Sequence, residues 1–478
     1  MRVVVAGAGI TGLTCALTLL DERPDAEVTV LESADRLGGR ILTTPFDGRP
    51  VDAAADAFLA RVPDAIALCE RLGLTSHMVT PAERTAYLYA RGELRRFPEG
   101  GVLGVPTDLD ALAASGVISP EGVERAALDL TMGPDPVPGP ESTDAVGGDE
   151  SVGSLVRRRL GDEVYEVLVG PLLSGVNAGN ADELSVAAGA PQFAAALRDH
   201  GSLIAGARAQ HAAAAVGAGA AAPVFYGLDG GMGSLVDALA AEITALGGTV
   251  ARGTALDAVR PLDPDGRRLE ITATGAAAQP GPTIVDAVVL ATPLPVTARL
   301  LEPLLPEVAR DMAAVEYASA VMTALAVPRD QIDHPLDASG FLVPHREGLL
   351  LTACTWASVK WAHLDRPDVV LLRASSGRHG DERALDLDDD ALVDALLADL
   401  ATTMGLRGRP TATRVTRWPH SLPQFRPGHL GRITTWRAAL ATVSPHLVAT
   451  GAGFEGLGIP ACVRQARDTA KTLSQQQF

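Results

Sequence analysis

Residues 2–32 read RVVVAGAGITGLTCALTLLDERPDAEVTVLE, and this stretch decides the fold. Arg2 to Ala6 is a short apolar run with the composition of a buried strand. GAGITG follows, with Gly7, Gly9 and Gly12 at G-x-G-x-x-G spacing. From about Ile10 to Leu20 the apolar residues recur at helical spacing. Glu27 to Leu31 then forms a second strand, which ends at Glu32. Strand, glycine turn, helix, strand and acid in this order make the dinucleotide fingerprint. Gly7 permits the tight turn, Gly9 lets the backbone approach a pyrophosphate, and Gly12 lets the helix pack on the strands. The helix N-terminus offers unpaired N–H groups and a positive dipole end to phosphates. Glu32 can accept hydrogen bonds from a ribose hydroxyl. The fingerprint leaves NAD and FAD both open.

The next residues narrow that choice. Arg36 to Arg40 reads RLGGR. This resembles the second glycine motif of the flavin amine oxidase superfamily, which passes along the FAD diphosphate and ribityl chain. The resemblance makes Arg40 a fixed positive charge near the phosphates. In relatives with this motif a strand and a glycine-containing turn lie beneath the flavin ring. Here Val51 to Phe58 reads VDAAADAF, with alanines where a glycine is usual. A Cβ makes close approach to a ring harder.

A chain of 478 residues can bury a large core and is expected to form two or more domains. It is 47% hydrophobic with mean hydropathy +0.17, as expected of an alanine-rich globular enzyme. Its formal net charge of −18 argues against a general nucleic-acid or anionic-membrane binder. A local arginine cluster would still suffice for an anionic small substrate. Cys15, Cys69, Cys354 and Cys462 are scattered without metal-ligand spacing, which suits small core residues in a reducing cytoplasm. No metal site is expected. No uninterrupted apolar run is long enough for a transmembrane helix, and none of the features of a signal peptide precedes the first strand. The expected setting is cytoplasmic, with at most a peripheral membrane face.

Further along, Pro63 to Leu72 has helical spacing, and Ala86 to Phe97 (AYLYARGELRRF) reads as a hairpin around Arg91-Gly92. From about Pro106 to Arg208 the pattern is helical, with Ser151 a cap for the helix that carries RRRLG. Pro134 to Glu150 reads as an exposed, mobile loop. Gln192 to Gly206 reads as helical, and Ala212 to Ala222 is too uniform to assign. Tyr226 ends a strand; Gly230, Gly231 and Gly233 form a turn; a helix then runs to about Leu246. Thr249–Ala251, Leu256–Val259, Arg267–Thr274 and Thr283–Ala291 are expected strands. From Tyr317 to about Thr416, strands alternate with turns and one helix, Asp389 to Met404. At the end, His446 to Gly451 is a strand leading to Gly451, Gly453, Gly456 and Gly458, then to a helix with Pro460 in its first turn. Such a helix N-terminus, aimed at a reduced flavin, would stabilise its negative charge.

The order of GAGITG, RLGGR, residues 151–185 with their GPLLSGVNAG block, KWAH (360–363), RWPHSLPQF (417–425) and GAGFEGLGIPAC (451–462) resembles the FAD-dependent porphyrinogen oxidases from end to end. GPLLSGVNAG discriminates most. Alanine- and arginine-rich composition resembles the coproporphyrinogen III oxidases of actinobacteria more than membrane-bound protoporphyrinogen oxidases. The resemblance implies an α/β and α+β chain. Segments 1–57, 225–297 and 441–478 would assemble a Rossmann-like FAD-binding domain. Segments 58–97 and 298–440 would form a mixed-sheet substrate domain, and 98–210 a helical region that walls the cavity. FAD contacts carry over to Gly7, Gly9, Ile10, Thr11, Gly12, Glu32, Ser33, Gly39, Arg40, Leu256, Leu457, Gly458 and Ile459.

The implied reaction takes six electrons from a porphyrinogen in three rounds, with hydride passing to the flavin and oxygen becoming hydrogen peroxide. No side chain stands out as an obligatory base. The propionates of a tetrapyrrole substrate call for cations at the cavity mouth, and the candidates are Arg61, Arg95, Arg96, Lys360, His363, Arg426 and His429. Lys360, one of only two lysines, is the most interesting of these. Molecular oxygen and a haem-pathway protein that receives the porphyrin are the further expected partners. The rival readings are protoporphyrinogen as substrate, an amine oxidase, a carotenoid desaturase and a non-catalytic FAD-binding partner. An aromatic amine cage is poorly served by five tyrosines and four tryptophans.

Overall fold

The strand Arg2–Ala6 lies at the centre of a five-stranded parallel sheet, in the order 249–251, 27–31, 2–6, 287–290, 447–449. Three distant stretches of sequence therefore build one sheet. The computed structural model describes residues 1–133, 145–146, 148–218 and 223–476. On one face of the sheet the helices Ile10–Glu22, Gly233–Ala245 and Ile459–Ser474 pack together through Leu13, Leu17, Leu235, Leu239, Val463 and Ala466. The other face is covered by the antiparallel strands 254–261, 269–275 and 283–285 and by helices that include Leu294–Leu301 and His429–Val443. Cover on both sides explains why the strands are apolar throughout instead of alternating. All four cysteines are buried and unpaired, as core residues.

A second, seven-stranded sheet runs in the order 412–423, 317–328, 369–376, 351–356, 340–342, 87–90, 93–96. Its pairs are antiparallel except Gly340–Leu342 with Tyr87–Ala90. The hairpin is closed by Arg91 (φ 60°) and Gly92 (φ 79°), the left-handed pair of a two-residue turn that matches strand twist. Helix Asp389–Met404 covers one face, where Leu392, Leu396 and Leu400 meet Leu325, Leu372, Phe341 and Trp356.

The third unit is helical. Ser151 caps helix Val152–Leu160, its Oγ accepting from the Ser154 N–H at 3.1 Å. A π-helical turn, Tyr165–Val169, leads into Gly170–Asn177. The core of this unit holds a fully buried pair, Arg159 Nε to Asp129 at 2.6 Å. Ser202 Oγ and the Ile204 N–H also donate to Asp129, so its charge is fully satisfied. Among the described residues no helix is long and apolar enough to cross a membrane.

Four expectations need correction. Thr283 to Ala291 is two strands: Asp286 interrupts it by bonding the Arg2 backbone, with Thr283–Val285 joining the antiparallel sheet and Ala287–Leu290 the parallel one. Gln192 to Gly206 is split by Gly201 (φ 67°) into Pro191–His200 and Leu203–Ala218, the latter reaching into the unassigned alanine run. Residues 219–222 of that run, and 134–144 and 147 of the Pro-rich loop, lie outside the described residues. Segment 58–97 is shared between units: Phe58, Ala65, Leu68 and Cys69 pack into the dinucleotide core, and only the 87–96 hairpin joins the large sheet. The boundaries at 297 and 440 fall inside helices Leu294–Leu301 and His429–Val443, whose apolar residues pack with the dinucleotide unit.

Candidate functional site

The glycine turn after the first strand is held by short backbone bonds. Gly7 (φ 101°) donates to the Leu31 carbonyl at 2.7 Å. A Cβ on Gly12 would run into the Gly7 carbonyl, so helix and strand can approach only with glycine there. Gly9 differs: a Cβ added to it would meet no protein atom within 4 Å. Gly38 donates to the Ala8 carbonyl at 2.8 Å, which lays the RLGGR turn alongside, and Gly39 (φ 57°) sits against Gly9. The Leu13 N–H is the first to bond back, to Gly9, so the N–H groups of Ile10, Thr11 and Gly12 face this space. The Glu32 carboxylate takes the Ala8 N–H at 2.9 Å on one oxygen and the Ala34 N–H at 2.9 Å on the other, with the Ser33 hydroxyl beside it. Each oxygen keeps lone-pair capacity for a ribose hydroxyl. Thr254 N–H donates to the Glu32 carbonyl, which brings the strand bearing buried Leu256 to the same end of the sheet.

Arg40 reaches from the RLGGR turn to the far side of this space. Its guanidinium lies 5.7 Å from the Tyr317 ring centre. Burial lowers its pKa, and among the described residues no carboxylate pairs with it. A part-buried cation with no counter-ion beside an open glycine turn fits an anionic dinucleotide. Tyr317 accepts the Leu294 N–H through its hydroxyl at 3.0 Å and abuts Gly453 of the C-terminal turn.

That C-terminal turn faces the first. Gly451 (φ 138°) and Gly456 (φ 132°) hold conformations closed to other residues. Leu457 packs toward the helical unit, and Gly458 and Ile459 begin helix Ile459–Ser474, with Pro460 in its first turn. Two side chains that sequence reasoning did not assign this task anchor the turn. Gln465 accepts the Glu455 N–H at 3.0 Å and donates to the Gly456 carbonyl at 3.2 Å. His429 contacts the Gly453 and Phe454 carbonyls through Nε2 at 3.0 and 3.2 Å. It is 1% exposed, stacked on Phe425, and burial pushes its pKa down to about 4. A neutral, enclosed imidazole cannot offer charge at a cavity mouth, so the expectation for His429 is corrected: it positions the turn.

Between these turns and the large sheet lies an open face. Residues opposite one another across a sheet share a face. On the face away from helix Asp389–Met404, Met322, Leu342, Thr355, Ser375, Thr416 and Trp418 are all part-exposed, whereas Val321, Leu325, Phe341, Cys354, Leu372 and Ala374 on the covered face are buried. Helix Gly170–Asn177, the GPLLSGVN segment, walls one end, with Gly175 opening toward Leu342. Residues 44–56 wall the other. There Arg414 donates to the Thr44 and Val51 carbonyls at 3.1 Å each, and Trp418 Nε1 to the Ala53 carbonyl at 2.8 Å.

The other sequence-derived cations are dispersed. Lys360 Nζ lies 3.0 Å from Asp56, which also pairs with Arg373 at 2.7 Å and accepts from Trp361 Nε1 at 3.0 Å. Burial would raise the Asp56 carboxyl, but Lys360 and Arg373 overcome it and hold the group well below the usual carboxylate range. His363 is part-buried near Trp361, and burial lowers its pKa. Arg95 pairs with Glu93 and Arg96 with Asp337. Arg426 bonds Glu183 and Glu316, and the same two acids face His379. That trio has ligand-like proximity, but Arg426 already bridges both of its carboxylates. Arg61 is exposed and, among the described residues, without a carboxylate partner.

Comparison with known proteins agrees with this geometry. Residues 10–474 match the family described as flavin containing amine oxidoreductase. A coproporphyrinogen III oxidase of Bacillus subtilis is 34% identical over 474 residues, covering 98% of this chain and 96% of that one. The coproporphyrinogen III oxidase of Mycobacterium tuberculosis is 35% identical, covering 97% and 95%. A crystal structure from Exiguobacterium, assigned in its description to protoporphyrinogen oxidase, superposes with TM-score 0.84 at 31% identity, covering 100% and 99%. With a nucleotide-binding sheet, two facing glycine turns and, between them, an arginine that has no carboxylate partner among the described residues, the chain belongs to the flavin-containing amine oxidoreductases, and its full-length relatives there include coproporphyrinogen III oxidases.

Proposed function

We propose that this protein uses FAD and molecular oxygen to oxidise coproporphyrinogen III to coproporphyrin III, with hydrogen peroxide as the second product. The supporting observation is full-length identity of about one third to coproporphyrinogen III oxidases on a site whose glycine turns and Arg40 fit a dinucleotide. FAD, when bound, supplies the two-electron oxidation chemistry. The chain supplies position and charge. Gly9 and the first N–H groups of helix Ile10–Glu22 receive the diphosphate, Glu32 the ribose, and Arg40 the remaining negative charge. The N-terminus of helix Ile459–Ser474 stabilises negative charge that develops opposite it.

The open sheet face receives the tetrapyrrole. Its part-exposed side chains, Met322, Leu342, Thr355, Ser375 and Thr416, are neutral and suit a broad, mostly apolar macrocycle. Its two arginines, Arg373 and Arg414, are engaged with residues 44–56 and are no bases at neutral pH. The pyrrole proton therefore passes to water, with no side-chain base on this face among the described residues. Arg61 and His363, near the edge formed by strand Phe58–Leu59 and Trp361, are the propionate contacts in this reading. The porphyrin then passes to a haem-pathway protein. Measuring peroxide and porphyrin together tests the reaction: three peroxides per porphyrin are expected, and porphyrin formation without peroxide would refute oxygen as the acceptor.

A further inference from the structure

Strand Ala412–Pro423 is an edge of the seven-stranded sheet, and its alternation puts Thr416 and Trp418 on the open face. Just beyond Trp418 the strand departs from regular pairing. Ala320 pairs with Trp418 but Ala318 pairs with Leu422, so two steps on one strand match four on the other. His420 takes up the extra length in the left-handed region, at φ 43°. Two side chains hold it there: Ser319 Oγ accepts the His420 N–H at 3.0 Å, and Ser421 Oγ donates to the Trp418 carbonyl at 2.9 Å. A bulge of this kind re-aims the side chain beside it.

Trp418 is aimed at a junction. Its Nε1 donates to the Ala53 carbonyl at 2.8 Å, and the Arg36 guanidinium of the RLGGR turn lies 5.6 Å from its ring centre. The indole therefore stands at the end of the open face that adjoins the dinucleotide turns. It is also the exception among the four tryptophans. Trp356, Trp361 and Trp436 are at most 2% exposed, whereas Trp418 is part-exposed. Within the large sheet Tyr87, Tyr89, Phe341 and Trp356 are buried on the covered side. With its N–H already bonded to Ala53, the ring offers the open face carbon surface and π electrons and no further polar group.

Resting on the tetrapyrrole reading above, we infer that Trp418 is a substrate-binding residue whose indole forms a platform for one pyrrole ring, at the end of the open face nearest the dinucleotide turns. A porphyrinogen carries four separate pyrroles joined through saturated carbons, so each is a small electron-rich ring that can lie offset on an indole. Thr416 and its cross-strand partner Met322 continue the same neutral surface away from the ring. Trp418 takes no part in electron or proton transfer. It fixes which pyrrole, and so which bridging carbon, stands beside the cofactor.

The test titrates FAD-loaded protein with coproporphyrin III, which has no hydride left to give, and compares Trp418→Phe with Trp418→Leu. Both variants lose the bond to Ala53 and keep apolar bulk; they differ in the aromatic face. W418F should bind within about three-fold of the natural protein, and W418L about five-fold more weakly than W418F. KM for coproporphyrinogen III should separate the two variants by a similar factor, with the loss falling on KM more than on kcat. Equal affinities in W418F and W418L would overturn the inference, because any loss would then belong to the Ala53 bond and not to the ring. Failure of the natural protein to bind coproporphyrin III would overturn the tetrapyrrole reading itself, and the platform with it.

Discussion

His429 Nε2 lies 3.0 Å from the Gly453 carbonyl, 24 residues along the chain. The ring is enclosed and neutral, so it donates there as the Nε2–H tautomer. It thereby ties the start of helix His429–Val443 to the C-terminal glycine turn. Replacing His429 with Phe keeps the stacking on Phe425 and removes the donor. A loss of about 1–3 kcal/mol in folding stability is expected, with faster FAD loss.

The same residue sets an acid limit. Its pKa falls from 6.5 in the unfolded chain to about 4 in the fold. A depressed histidine contributes stability that is present above the unfolded value and lost as pH falls through the folded one. The contribution is at most ~3 kcal/mol. Melting curves from pH 7 down to 4 should be steeper for the natural protein than for His429→Phe, and parallel curves would contradict this.

Asp52 has the opposite sign. Burial raises its carboxyl from 3.8 to about 6, although the Thr43 hydroxyl and the Met232 N–H bond to it. Its contribution is fully present below the unfolded value and lost as pH rises through about 6. Asn at this position keeps an acceptor for both donors and avoids the buried charge. Asp52→Asn should raise stability at pH 8 by about 1–3 kcal/mol and change little at pH 4. Equal effects at both pH values would exclude the linkage.

The glycines of the first turn separate two roles. Gly9 has extended backbone and open space around a would-be Cβ, whereas Gly12 faces the Gly7 carbonyl. Gly9→Ala should leave the apoprotein within about 0.5 kcal/mol of its natural stability yet lose FAD. Gly12→Ala should destabilise the apoprotein itself by several kcal/mol. Thermal melts with and without FAD distinguish the two.

Among the described residues Arg40 has no acid to neutralise it, so it should cost the apoprotein stability and repay that on binding. Arg40→Met is expected to leave the apoprotein as stable or more so, and to weaken FAD at least about ten-fold. A lower melting temperature of the apoprotein would contradict this.

The local parts of this architecture were legible in sequence. GAGITG, Arg91-Gly92 and the glycines of 451–458 are short-range signals, because a left-handed residue or a strand-to-helix turn is encoded by its own few residues. What was not legible was long-range. Lys360 stood out in sequence because lysine is rare here, but its ion-pair partner Asp56 is 304 residues away and nothing in its spacing announces it. Gln465 and His429 work by contacts to backbone carbonyls, which any sequence has. Asp286 sits inside an apolar run, and only pairing with the Arg2 backbone shows that it divides two sheets. The open sheet face follows from which strands pair, and that too is non-local.

The most direct test of the central claim is aerobic turnover of the FAD-loaded protein on coproporphyrinogen III and protoporphyrinogen IX in parallel, read by porphyrin fluorescence. Faster turnover of coproporphyrinogen III is predicted, with Arg61→Ala raising its KM. Preference for protoporphyrinogen IX, or no turnover of either with flavin bound, would contradict the account.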